Sequence, residues 1–121
     1  MNQTDAMTIH GQQYWTQRFA ADHARLEQHR QAGMTQAATA ADSLRQRWPE
    51  IRSVHVFGSI LDQRFRDHSD LDLLVEGLPA LGLLEAIALA EAAGPLRLDL
   101  KRREDLSDGL VKRLLSRSQT L

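Results

Sequence analysis

Between Gln12 and Arg30 apolar positions are sparse. Tyr14, Trp15, Phe19 and Leu26 interrupt an otherwise polar stretch, a pattern that predicts a polar helix with a discontinuous apolar face. Gly33 predicts a break. From about Thr35 to Trp48 the chain turns Ala-rich, with Leu44 and Trp48 four apart, which predicts a second helix packed on the core and stopped by Pro49. At Ser53 the pattern changes to the β-branched and aromatic run SVHVF, a strand ended by Gly58 and Ser59, and a polar connection follows from Ile60 to Ser69. The alternation in Asp70 to Val75 (DLDLLV) predicts a strand with Asp70 and Asp72 on one face and Leu71, Leu73 and Val75 on the other. Past Gly77 and Pro79, Ala80 to Ala93 predicts an apolar helix ended by Gly94 and Pro95. A third strand, Leu96 to Lys101, buries Leu96, Leu98 and Leu100 and turns Arg97, Asp99 and Lys101 away, and a last helix spans about Ser107 to Ser116. Helices segregated around about three strands predict an α+β fold with a small mixed sheet and an N-terminal helical extension over residues 1–33.

Composition narrows the classes. A chain of 121 residues, 42% apolar and 26% charged, is an ordinary globular length with a core to bury, and it leaves little room for a separate substrate module. A formal charge of −1 supplies no global field for nucleic acid, so no direct nucleic-acid partner is expected. The absence of cysteine removes thiolate metal sites and Cys nucleophiles and suits a reducing compartment. Neither an apolar signal core near the N-terminus nor a membrane-length apolar run is present, so a cytoplasmic location away from membranes is expected.

The chemistry concentrates between Phe57 and Val75, where Gly58-Ser59 is followed by ten residues and then Asp70 and Asp72. Two carboxylates about 7 Å apart on one strand face repel each other unless a cation joins them. All-oxygen donors suit Mg²⁺ or Mn²⁺. A pair of such ions activates an attacking hydroxyl and stabilises departing pyrophosphate, with a third carboxylate to hold the pair, and Asp99 is the candidate. Gly58 lets backbone approach a phosphate, and Ser59 adds a hydroxyl where a short helix can begin. Taken singly, a Gly-Ser turn and an Asp-x-Asp strand end are common solvated features; their order and spacing carry the reading.

That order, Gly58-Ser59, ten residues, Asp70-Leu71-Asp72, resembles the signature of minimal nucleotidyltransferase (MNT) domains in the DNA polymerase β superfamily, and the likeness extends over roughly Thr35 to Leu121. The resemblance implies the polymerase β-like fold over residues 34–121. It further implies triphosphate binding at Gly58 and Ser59, metal ligation by Asp70 and Asp72, and completion of the metal site and acceptor activation by Asp99. Many MNT domains carry a basic residue and a glycine soon after Gly-Ser. Here Ile60, Leu61, Asp62 and Gln63 stand there, which implies a weaker phosphate grip unless Arg64 or Arg66 substitutes.

Small stand-alone MNT domains resemble the antitoxin half of toxin–antitoxin pairs whose partner is an α-helical HEPN-type ribonuclease. The activity so implied is transfer of AMP from ATP to a tyrosine hydroxyl of the toxin. An antitoxin that neutralises its partner by binding alone is the alternative that the departure after Ser59 favours. Transfer to a small molecule calls for a substrate domain the chain lacks, and tRNA tailing fits poorly with the charge. His10, His23, His29, His55 and His68 show no metal-ligand spacing and are read as surface or structural groups, with His68 two residues from Asp70. Lys101, Arg102 and Arg103 are read as a solvated turn, and the aromatic face of Tyr14, Trp15 and Phe19 either folds back or docks a partner.

Overall fold

The computed structural model describes the backbone of residues 3–121 and the side chains from Gly11 onward. Helix α1 (Gln3–Arg47) runs without interruption for 45 residues, about 67 Å at 1.5 Å per residue. The predicted break at Gly33 is therefore incorrect. A Cβ built on Gly33 would lie 2.5 Å from Leu96 Cδ1 and 2.8 Å from Ile60 Cδ1, so this glycine serves a close helix-to-domain contact rather than a chain reversal. Glycine costs a helix interior only about 0.5–1 kcal/mol, which a helix anchored by packing absorbs. Gly33→Val is expected to destabilise the fold by about 1–3 kcal/mol through overpacking against Leu96 and Ile60. Chemical denaturation would detect this, and unchanged stability would show that the contact is loose.

Past Gly33, α1 buries Gln36, Ala37, Ala40, Ala41 and Leu44, with Trp48 just beyond its end, a helical spacing that lays one face on the sheet and helix α2 (Leu83–Ala92). The N-terminal half does not fold back. Tyr14, Trp15 and Phe19 are 58%, 55% and 66% exposed, with Trp15 stacked on Phe19 and met edge-on by Tyr14.

The sheet consists of β1 (Ser53–Phe57), β2 (Leu71–Glu76), β3 (Leu98–Arg102) and β4 (Ser118–Thr120), in the order β3-β2-β1-β4. β1 is antiparallel to β2 and β4, and β2 is parallel to β3. The mixed α+β architecture matches the expectation, with β4 added at the edge. A polar Ser-Gln-Thr segment has no alternation to announce it, and it is held by backbone pairing and by the Leu121 amide donating to Val54 O at 2.9 Å.

Val54, Val56, Leu71, Leu73 and Val75 form the helix-covered face. The opposite face is not purely acidic, as the alternation had suggested. Phe57 and Leu74 lie on it and are buried under Val111 of helix α3 (Asp108–Leu115), whose N-terminus is capped by Ser107 Oγ accepting from the Leu110 amide. Nor are Lys101 to Arg103 a solvated turn. Lys101 and Arg102 belong to β3, and the Arg102 side chain, 12% exposed, donates to Leu78 O and pairs with Asp105 at 2.7 Å.

Gln36 is buried at the junction of α1, α2 and the entry to β3. Its amide nitrogen donates to Ala90 O (3.0 Å) and Leu96 O (2.8 Å), and its oxygen accepts from the Leu96 amide (2.7 Å). This side chain fixes where β3 begins, and so where Asp99 lies.

Candidate active site

Strand register builds the centre of the site. One row across the sheet reads Asp99, Asp72, Phe57, Ser118, so these residues share the face that α3 partly covers. Asp72 and Asp99 are direct neighbours on parallel strands about 4.8 Å apart. Directly after Phe57, Gly58 has φ +83°, a backbone conformation costly for residues with a Cβ, and a Cβ built there would collide with the Asp72 carboxylate. Only a glycine lets the loop lie on that carboxylate. Gly58→Ala is accordingly expected to displace Asp72, to destabilise the protein by about 1–3 kcal/mol and to abolish any activity that uses the carboxylate. Wild-type stability and activity in this variant would place the loop elsewhere in solution.

Ser59 opens a three-residue 3₁₀ turn, Ser59–Leu61, closed by the Leu61 amide donating to Gly58 O (3.1 Å) and the Asp62 amide donating to Ser59 O (3.0 Å). Ile60 anchors the turn in the core.

The electrostatics single out Asp72. Burial is the largest influence, followed by the charge of Asp99 and a hydrogen bond between the two carboxyl groups, and together they push Asp72 up to about 6. Lys101 opposes this in part; its Nζ lies 2.9 Å from Asp99 Oδ1 and supplies the positive charge nearest the pair. This lysine is a candidate site residue that the sequence reading assigned to a solvated turn, although its place on the polar face two residues from Asp99 was the signal for it.

Asp70 lies one residue before β2 and is exposed, so the predicted strand began one position too early. It borders a cleft of about 310 Å³ with His29, His68 and Arg97 and is the weakest of the influences raising Asp72. The structure thus brings Gly58, Asp72 and Asp99 together and leaves Asp70 at the margin. Among the described residues, no three carboxylate or imidazole side chains close on one point. The chemistry of the Asp72–Asp99 pair nevertheless fits a hard divalent cation: two adjacent carboxylates, each disfavouring charge on its neighbour, are oxygen ligands that a cation would satisfy together.

Of the two arginines considered as phosphate ligands, Arg66 donates to its own loop at Gln63 O and Phe65 O. Arg64 is held by Asp62 at 2.7 Å beside a second cavity next to Gly58. Among the described residues, no helix is long and apolar enough to cross a membrane.

Comparison with known proteins agrees with this fold. No curated protein matches the chain significantly. Among solved structures, a chain of a Shewanella oneidensis complex between a tri-AMPylated HEPN toxin and an MNT antitoxin is similar at 18% identity and a TM-score of 0.57, over 73% of this chain and 70% of that one. A toxin–antitoxin complex with AMP-PNP is similar at 19% identity and a TM-score of 0.57, over 67% of this chain and 68% of that one. A structure described as a candidate minimal nucleotidyltransferase reaches 28% identity and a TM-score of 0.53, over 83% of this chain and 96% of that one. The family model for the nucleotidyltransferase domain matches residues 38–120, well over half of the sequence, and these residues hold all four strands, Gly58, Asp72 and Asp99. The chain belongs to the nucleotidyltransferase domain family.

Proposed function

We propose that this protein is an antitoxin that transfers AMP from ATP to a tyrosine hydroxyl of a partner HEPN-type ribonuclease toxin, with residues 34–121 as the transfer unit and residues 1–33 as a helical extension. The observation that carries the reading is the Asp72–Asp99 pair beneath Gly58: adjacent carboxylates, one pushed up to about 6, under a loop that only glycine permits. Perturbed carboxylates in such a setting are what metal-assisted phosphoryl chemistry uses. The likeness to toxin–antitoxin complexes, one with a tri-AMPylated toxin and one with AMP-PNP, supports the choice of partner and nucleotide.

In this reading Gly58 and Ser59 hold the triphosphate, the Ser59 hydroxyl donating to a phosphate oxygen. Asp72 and Asp99, joined by Asp70, would hold Mg²⁺ or Mn²⁺. When bound, the divalent ions neutralise the phosphate oxygens and the departing pyrophosphate. Asp99 orients the acceptor hydroxyl and takes its proton, the tyrosine oxygen bonds to the α-phosphorus, and the bond to the bridging oxygen breaks to release pyrophosphate. Lys101 holds the Asp99 carboxylate in place.

Neutralisation by binding alone is favoured by one observation, the marginal position of Asp70 outside β2. Co-expression separates the two readings. If Asp72→Asn plus Asp99→Asn no longer protects cells from the toxin while still co-purifying with it, transfer is required; if protection persists, binding suffices.

A further inference from the structure

Beside Gly58, on the side away from Asp72, lies a cavity of about 430 Å³ between the Ser59–Leu61 turn and α3. Phe57, Leu61 and Leu114 line it together with Asp62, Arg64, Arg113 and Arg117. Three arginines and one aspartate thus share the lining. Asp62 is committed to Arg64, which donates to it from Nε and Nη2, and this contact holds Asp62 below the usual carboxylate range. Among the described residues, the Arg113 and Arg117 guanidinium groups make no hydrogen bond or ion pair, and Asp62, the one acidic residue of the lining, is paired with Arg64 and also feels the charge of Arg117, so the lining keeps a net positive charge. Its apolar floor lowers the local dielectric and strengthens attraction for an anion.

The cavity also has a fixed place relative to the reacting groups. In the row Asp99, Asp72, Phe57, Ser118, Gly58 directly follows Phe57 and Arg117 directly precedes Ser118. The acidic pair therefore lies at one end, the glycine turn in the middle and the arginines at the other end. The positive charge comes from α3 and its C-terminal end, elements remote in sequence from the Ser59–Leu61 turn.

Resting on the nucleotidyl-transfer reading, we propose that this cavity receives the polyphosphate end of the nucleotide, gripped by Arg113 and Arg117 from α3 and its end and by Arg64 oriented by Asp62. The α-phosphate then lies toward Asp72 and Asp99, and the leaving pyrophosphate lies over Gly58 toward the arginines. Guanidinium forks bind phosphate oxygens bidentately, which an exposed lysine would not reproduce in geometry.

Calorimetry with inorganic tripolyphosphate in Mg²⁺-free buffer tests this without any acceptor. Arg113→Gln and Arg117→Gln are each expected to weaken tripolyphosphate binding about tenfold, and the double variant about a hundredfold, with thermal stability unchanged because both side chains are exposed. Arg117→Lys should recover only part of the loss. Adenosine should bind the wild type and the double variant equally. Failure of the wild type to bind tripolyphosphate, or unchanged binding in the double variant, overturns the assignment. So does a loss confined to adenosine, which would make the cavity a base pocket. The outcome is separable from the transfer reading: arginine-dependent tripolyphosphate binding without AMP transfer upholds the cavity and defeats the transferase, whereas transfer at unchanged KM for ATP in the double variant does the reverse.

Discussion

Asp72→Asn is expected to stabilise the metal-free protein near neutral pH while abolishing nucleotidyl transfer. The wild-type carboxylate is pushed up to about 6 because burial and Asp99 disfavour its charged form, so folding becomes less favourable once Asp72 must ionise. The sign follows from the two protonation states. Below the unfolded value near 4, Asp72 is protonated in both the folded and unfolded chains and costs nothing. Between about 4 and 6 the folded state holds the extra proton and stability falls as pH rises, and above about 6 the full penalty is in place. A shift of this size corresponds to about 3 kcal/mol, which partial exposure of the site reduces to about 1–2 kcal/mol. Asparagine removes the charge at nearly constant shape, so the variant should melt higher than wild type at pH 7 to 8, with the difference vanishing near pH 4. Transfer should fall by at least about a thousandfold, because several kcal/mol of charge stabilisation depend on that carboxylate. A variant that melts lower than wild type at neutral pH would show that Asp72 is not strained in the fold.

The second large effect concerns Gln36. Gln36→Leu keeps the volume approximately and removes all three hydrogen bonds, leaving the buried Leu96 amide and carbonyl without partners. An unsatisfied buried group costs about 1–3 kcal/mol, so a loss of about 3 kcal/mol and a fall of about 10 °C in Tm are expected. Because Gln36 sets the start of β3, the variant should also lose activity at temperatures where it remains folded. A Tm within about 2 °C of wild type would show that water or backbone adjustment replaces the side chain.

These two residues also mark what the amino-acid sequence reveals and what it hides. Asp72 and Asp99 are legible because a strand repeats every second residue, so the local alternation in DLDLLV and LRLDLK is enough to place their carboxylates on one face. The Gly-Ser spacing is legible for the same local reason. Gln36 is not, because its partners lie 54 and 60 residues away and nothing near it signals burial. Gly33 is misleading because glycine breaks helices in isolation, whereas here its missing side chain makes room for Leu96 and Ile60. Edge strand β4 escapes because backbone pairing alone sustains its polar residues. The arginine cavity escapes because Arg64 and Arg117 line one cavity only when the Ser59–Leu61 turn faces the end of α3.

The most direct test of the account supplies ATP labelled at the α-phosphate, Mg²⁺ and the purified HEPN-type product of an adjacent gene to wild-type protein and to Asp72→Asn. Label on a tyrosine of the partner with wild type, and none with the folded Asp72→Asn variant, is the predicted result. Equal labelling by both proteins, or no label on a partner that wild type nevertheless binds and silences, would contradict it.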